Sequence, residues 1–220
     1  MSLKKNIVYN TIYQLLTIIL PLVTVPYISR VLGPEGQGRY SYTSAYSQYF
    51  IIIGMIGISL YGNRQMAYVK DDNKKLSKEF INIYTLQFIT TVISLISYFI
   101  IFTVINKSYR LLYTIESLAI IAAILDISWF FIGIGDMKNV VIRNTITKLA
   151  GVVLIFLLVK DSGDVTIYAA IMGGATLAGQ LTMWTGLKGR ISFEKPSLKY
   201  AANHLQPALA LFVSQLAIQV

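Results

Sequence analysis

The chain has 220 residues, of which 55% are hydrophobic and only 13% charged, and its mean hydropathy is +0.61. Soluble domains carry about 25% charged residues, so an ordinary water-soluble domain is excluded. The net charge of +9 does not point to nucleic acid, because the basic residues are sorted between alternate loops of an apolar chain. The absence of cysteine leaves no disulfide framework and no thiolate metal site.

Six apolar runs, at 7–31, 41–61, 80–105, 112–135, 140–159 and 165–187, are each long enough to cross a bilayer core of about 30 Å as a helix. The pattern predicts an all-α, polytopic membrane bundle. The first run follows a short basic start, is too long for a signal-peptide core and lacks a small-residue cleavage pattern. It therefore reads as a retained helix. It carries Pro21 and Pro26, each of which removes a backbone donor and marks a candidate hinge. Gln14 on the same run is a candidate for hydrogen bonding inside the bundle. Arg30 closes the run, either as an anion-binding cation at a cavity mouth or as a snorkelling anchor. Gly33-Pro34-Glu35-Gly36 is the tight turn into the second run.

The second run is unusually polar at its start. Ser41, Ser44 and Gln48 follow i, i+3, i+7, and Tyr42, Tyr46 and Tyr49 follow i, i+4, i+7 on a neighbouring face. A hydroxyl-rich, aromatic wall suits sugars. The alternative is an interfacial aromatic belt with ordinary interhelical hydrogen bonds. Arg64 ends this run as a candidate phosphate contact or a plain interfacial anchor. Asp71-Asp72-Asn73 marks the next loop.

In the fourth run Asp126 lies ten residues from both Glu116 and Asp136, which places it about 15 Å from each along a helix. A carboxylate at that depth needs a reason. It is a coupling-cation or proton site, or one half of a structural charge pair. Lys148 lies inside the fifth run, preceded by Arg143, as a cavity cation or a side chain reaching back to the interface. Lys160-Asp161-Ser162-Gly163-Asp164 turns the chain into the sixth run. The stretch 188–204 reads as a polar linker in which Pro196 opens a short interfacial helix. His204, the sole histidine, reads as an interfacial residue rather than a ligand. A new apolar run begins at Leu205.

Counted on alternate sides, fourteen of the 19 Lys and Arg fall with the N-terminus, while Arg30, Arg39, Lys107, Arg110 and Lys160 fall opposite. The positive-inside rule then places the N-terminus in the cytoplasm, in an inner (cytoplasmic) membrane. The expected organisation is a six-helix lobe over 1–187, a cytoplasmic linker over 188–204 and the start of a seventh helix over 205–220. A hydrophobic segment still running at Val220 reads as the first half of a longer protein or a truncated product. The sequence has no P-loop, no nucleophile elbow, no HExxH and no histidine cluster. No catalytic residue, cofactor or metal is therefore expected, and a transporter is favoured over an enzyme.

The stretch Tyr27-Ile28-Ser29-Arg30-Val31-Leu32-Gly33-Pro34-Glu35-Gly36-Gln37-Gly38 resembles the signature after the first helix of bacterial oligosaccharide flippases of the Wzx type. These belong to the multidrug/oligosaccharidyl-lipid/polysaccharide exporter superfamily. Tyr61-Gly62-Asn63-Arg64 followed by Lys74-Lys75-Leu76-Ser77 looks like their first cytoplasmic loop. Asp126-Ile127-Ser128-Trp129-Phe130-Phe131-Ile132-Gly133 is similar to their fourth-helix motif, with Gly135-Asp136 where Gly-Glu is frequent; Arg143-Asn144 and Lys148-Leu149 also fit.

The resemblance implies two six-helix lobes around a central cavity. It implies alternating-access transport of undecaprenyl-pyrophosphate-linked oligosaccharide units from the inner to the outer leaflet. Arg30, Arg64 and Lys148 are then the bets for pyrophosphate or glycan contact, Tyr46, Ser44 and Gln48 for the cavity wall, and Asp126 for coupling. The implied partners are the lipid-linked oligosaccharide, membrane lipids, a second lobe and polysaccharide polymerase machinery. A drug/cation antiporter of the same fold and a membrane polysaccharide polymerase are the competing readings.

Overall fold

The computed structural model describes residues 3–105, 108–192 and 194–219; the side chains of 3–10, 12–14, 16–17, 103–105, 139 and 214–219 lie outside the description, Gln14 among them. The described residues form helices and connecting turns, with no strand among them. The protein is a multi-pass helical membrane bundle.

Helix α1 (Leu3–Val31) has 29 residues, about 43 Å at 1.5 Å per residue. It runs continuously through Pro21 and Pro26, both exposed. Gly33, at φ +66°, makes the reversal into α2 (Gly33–Met55), with Pro34 in its first turn. The second crossing does not end where its apolar run ends. It continues through α3 (Ile58–Val69), after a break at Ile56 and Gly57 with φ of +39° and +79°. The sequence pattern expected the bend in α1, where the prolines are. The backbone instead breaks far from the only proline of the second crossing, Pro34 in its first turn, and tertiary contacts explain why. A Cβ at Gly57 would lie 2.5 Å from the Ala208 carbonyl oxygen and 2.7 Å from the Phe212 nitrogen. Only glycine lets α10 (Leu205–Gln219) cross there.

Helix α4 (Asn73–Phe99) starts on Asp72, whose Oδ1 accepts from Lys74 and Lys75 backbone N–H at 3.1 Å each. These bonds, with Lys75 alongside, hold the Asp72 carboxyl below its ordinary range. A π-helical turn over Ile100–Ile105 continues it. The fourth crossing is α5 (Arg110–Ile124) plus α6 (Ser128–Gly133), interrupted at 125–127. Helix α7 (Met137–Leu158) returns. The turn that follows is closed by Asp164 Oδ2, which accepts from Lys160 and Asp161 N–H at 2.8 and 2.9 Å and is thereby held below its ordinary range. Helix α8 (Val165–Trp184) with a 3-10 turn at Thr185–Leu187 completes the bundle. Helix α9 (Leu198–Asn203) is capped by Ser197, whose Oγ accepts from Tyr200 N–H, so Pro196 precedes the helix rather than opening it.

Five crossings, Gly33–Val69, Asn73–Phe102, Arg110–Gly133, Val140–Leu158 and Val165–Leu187, have the length and apolar character of membrane spans, and Ile18–Val31 supplies the apolar part of α1. Helix α5 is central: it packs on α8, α2 and α4, while α1 packs mainly on α7. At one end, here the Gly33 end, Ile28, Leu32, Leu112, Val159 and Val165 form one core. At the other, the linker end, Met66, Leu76, Phe80, Trp129, Phe131, Met183, Ala201 and Ala208 form another. The outside of α1 and α7 is apolar, with Leu22, Val23, Ile146 and Leu157 exposed, as a lipid-facing surface requires.

Candidate functional site

The polar interior concentrates at two levels. Near the linker end lies the break in the fourth crossing. Unwinding at 125–127 strands backbone carbonyls that cannot reach water inside a membrane. Gln87 of α4 collects them: its Nε2 donates to the carbonyls of Ala123 and Asp126 at 2.9 and 2.8 Å. Its Oε1 accepts from Trp129 Nε1 at 2.8 Å. Trp184 Nε1 of α8 donates to the Leu125 carbonyl at 2.9 Å. Asp126 Oδ1 accepts from Ser128 N–H at 2.8 Å and so closes the start of α6 from the position before its N-cap residue, Ile127. Asp126 is partly buried and, among the described residues, makes no ion pair. Its capping bond is visible only once the helix is seen to break.

Two of the sequence motifs meet here. A Cβ on Gly62 would lie 2.5 Å from the Trp129 ring, and one on Gly133 2.6 Å from the Asn63 carbonyl oxygen. Helix α3 thus lies flush on α6 because each presents a glycine at the crossing. Arg64, one residue further, is exposed; its Nε donates to Tyr68 Oη at 3.2 Å and its guanidinium sits 5.6 Å from that ring's centre.

The second level lies toward the Gly33 end. Of the predicted stripe, Gln48 is exposed and Ser44 half-buried. Tyr46, also half-buried, packs edge-on to Tyr42 and donates to its hydroxyl at 3.2 Å. A different pair from the same helix, Thr43 and Ser47, is buried, and Ser47 donates to Tyr98 Oη at 3.2 Å. Tyr42 and Tyr49 stay open, so α2 presents an aromatic, hydroxyl-bearing outer face.

Beneath it lies a residue that sequence reasoning passed over. Glu116 of α5 is 6% exposed, and its Oε1 has no hydrogen-bond partner. Tyr40, Tyr98 and Tyr168, from three other helices, lie within electrostatic reach of it. The signal was a glutamate about one turn inside an apolar run.

The structure does not gather the predicted cations. Arg30 is exposed at the Gly33 end of α1, Arg64 is at the linker end of α3, and Lys148 is exposed midway along α7. Arg143 instead ties α7 to α8 through the Thr182 carbonyl and Thr185 Oγ1. His204, at the turn between α9 and α10, is buried against the bundle: it is 5% exposed, with Nδ1 2.7 Å from Tyr61 Oη. Among the described residues no group of histidine, aspartate and glutamate could hold a metal.

Comparison with known proteins gives a consistent assignment. A family model described as "Polysaccharide biosynthesis protein" matches residues 3–220. A protein of Escherichia coli (strain K12) named "Putative O-antigen transporter" is 25% identical over 228 aligned residues, covering 100% of this chain and 54% of that relative. A protein of the same name from Shigella dysenteriae is 29% identical over 168 residues, covering 74% of this chain and 41% of its own length. The chain thus spans about half the length of these curated relatives. No solved structure matches it significantly.

Proposed function

We propose that this chain, which belongs to the polysaccharide biosynthesis protein family, forms the first lobe of a flippase. Its cargo would be oligosaccharide units linked to a polyprenyl pyrophosphate, moved from the inner to the outer leaflet by alternating access. It is not an enzyme in this reading. The single observation that carries the proposal is the family match over residues 3–220 in a polytopic bundle whose α2 keeps Gln48, Tyr42 and Tyr49 open. Such a face, set among apolar helices, suits a glycan in a water-filled cleft, with ring faces against C–H surfaces and amide or hydroxyl groups at the sugar edges.

In this reading the linker end is cytoplasmic, following the distribution of Lys and Arg. A second lobe, joined through the linker 188–204 and α10, closes the cavity. Arg64 and Arg30, at opposite ends of the bundle, meet the pyrophosphate on entry and exit. Lys148 serves between them, where charge-assisted pairing is strong because water is scarce. Tyr46, Ser44 and Gln48 line the glycan path, and Pro21 and Pro26 let α1 flex. Asp126 acts as a coupling or charge-pairing group in addition to its cap.

The test is complementation. The full-length protein is expressed in a strain lacking its own flippase but supplied with the matching glycan pathway, and surface glycan is measured. Restoration, lost in Arg64→Ala or Asp126→Asn at normal membrane abundance, supports flipping and those roles. No restoration by a well-expressed wild type sinks the proposal and favours the drug/cation antiporter reading, for which the buried carboxyl of Glu116 is the supporting observation.

A further inference from the structure

A further cluster of polar side chains sits where the linker meets the bundle. Glu79, in the second turn of α4, is 7% exposed. Its Oε1 accepts from Tyr200 Oη at 2.5 Å and its Oε2 accepts from Gln65 Nε2 at 3.0 Å. His204 Nε2 lies 3.7 Å from Oε2, and the opposite ring nitrogen is 2.7 Å from Tyr61 Oη. Lys78 Nζ sits 4.4 Å from the centre of the Tyr200 ring. Four elements therefore converge on one carboxylate: α3 through Tyr61 and Gln65, α4 through Lys78 and Glu79, α9 through Tyr200, and the α9–α10 junction through His204.

The linker is pinned along the same helix. Ser77 Oγ accepts from Ser192 N–H at 3.0 Å, and Asn82 Oδ1 accepts from Ser197 N–H at 3.0 Å. Arg190 pairs with Asp136 at 2.5 Å. Side chains of α4 thus supply bonds that a segment without regular structure over most of its length would otherwise take from water. Beyond His204, α10 is seated on the backbone break at Gly57 by the close approach of Ala208 and Phe212.

We propose that Glu79 is the anchor of a latch that straps the linker 188–204 onto the ends of α3 and α4 and thereby fixes where α10 leaves the bundle. The linker is then a rigid part of this lobe, not a flexible tether. Whatever α10 leads to moves about a point beyond His204. A buried carboxylate that loses its donors is costly, so the strap holds or lets go as a unit. The inference stands apart from the identity of the cargo, since docking is read without any substrate.

The experiment is hydrogen exchange, read by mass spectrometry, on the full-length protein in lipid nanodiscs: wild type, Tyr200→Phe and Glu79→Gln. The latch predicts that peptides covering 194–204 exchange about tenfold faster in Tyr200→Phe, for the loss of roughly 1.4 kcal/mol, and faster still in Glu79→Gln. Peptides from α5 and α8 keep their protection. Tyr200→Phe leaves the charge in place and guards against a Glu79 variant that fails to fold. Exchange of 194–204 that is already fast in wild type, or unchanged in both variants, overturns the latch. Loss of protection throughout Tyr200→Phe also overturns it, because the cluster would then support the whole lobe and not the strap.

Discussion

Trp129 Nε1 donates to Gln87 Oε1 at 2.8 Å, while the amide nitrogen of the same Gln87 donates to the Ala123 and Asp126 carbonyls. One side chain thus joins α4 to both halves of a broken membrane helix. The break at 125–127 persists because nearly every group it exposes is met by Gln87, Trp184 or Asp126. An unwound segment in hydrocarbon without such partners would cost several kcal/mol.

Gln87→Leu removes those donors and leaves the Trp129 indole only its longer bond to the Asp126 carbonyl, at 3.2 Å. We expect a loss of about 2 kcal/mol or more of stability, seen as a lower melting temperature in detergent. The chain has two tryptophans, Trp129 and Trp184, and both sit at the break. Their emission should shift to the red in this variant before global unfolding. Unchanged emission and melting would show that the break needs no bridge.

Asp126 tests cap against charge. Asp126→Asn keeps an acceptor for Ser128 N–H and should change stability by less than about 0.5 kcal/mol; Asp126→Leu loses the cap and should cost about 1 kcal/mol. If glycan export follows stability across the two variants, the residue is a cap alone. Export lost in the stable Asn variant assigns the carboxylate charge to the transport cycle.

Glu116 has a buried carboxyl oxygen with no partner, which is a cost the fold carries. Glu116→Gln should be neutral to stabilising by up to about 1–2 kcal/mol. Reduced export from this equally or more stable protein would mark the carboxyl as a working group of the cycle. Full export with raised stability would assign it no role.

Acid should loosen the latch. Burial pushes the His204 imidazole below its ordinary value of 6.5, only partly opposed by the Glu79 carboxylate. The docked state therefore binds a proton less tightly than the undocked one. Docking is unpenalised while His204 is neutral in both states, above about pH 6.5. It weakens as pH falls from there through the lowered value. Tyr200 stays protonated throughout, its phenol held at about 12 by the hydrogen bond to Glu79 and by burial. Exchange in 194–204, corrected for intrinsic rates, should rise on acidification in wild type and lose that dependence in His204→Gln. A pH-independent wild type would refute the linkage.

Gly57→Ala should be costly. The methyl group would meet α10 backbone at 2.5 Å, and alanine disfavours φ +79°. A loss of about 1–3 kcal/mol is expected, with faster exchange confined first to α10. A variant as stable as wild type would mean that α10 does not cross at Gly57.

The amino-acid sequence by itself determined the all-α membrane architecture and its long apolar runs, five of which lie in helices of membrane-spanning length among the described residues. Runs of about 20 apolar residues have no other way to satisfy their backbone in lipid. It also carried the motifs at Gly62 and Trp129, though not the fact that the two touch. Only the tertiary structure decided where helices break. Pro21 and Pro26 lie in a continuous α1, while the breaks at Ile56–Gly57 and at 125–127 hold no proline, because α10 crosses at Gly57 and Gln87 reaches the carbonyls around Asp126. It likewise made His204 and Glu79 a buried pair across 125 residues of chain. Local periodicity reports which face of a helix is apolar, whereas partners distant in the chain decide which polar group is paid for by a bond.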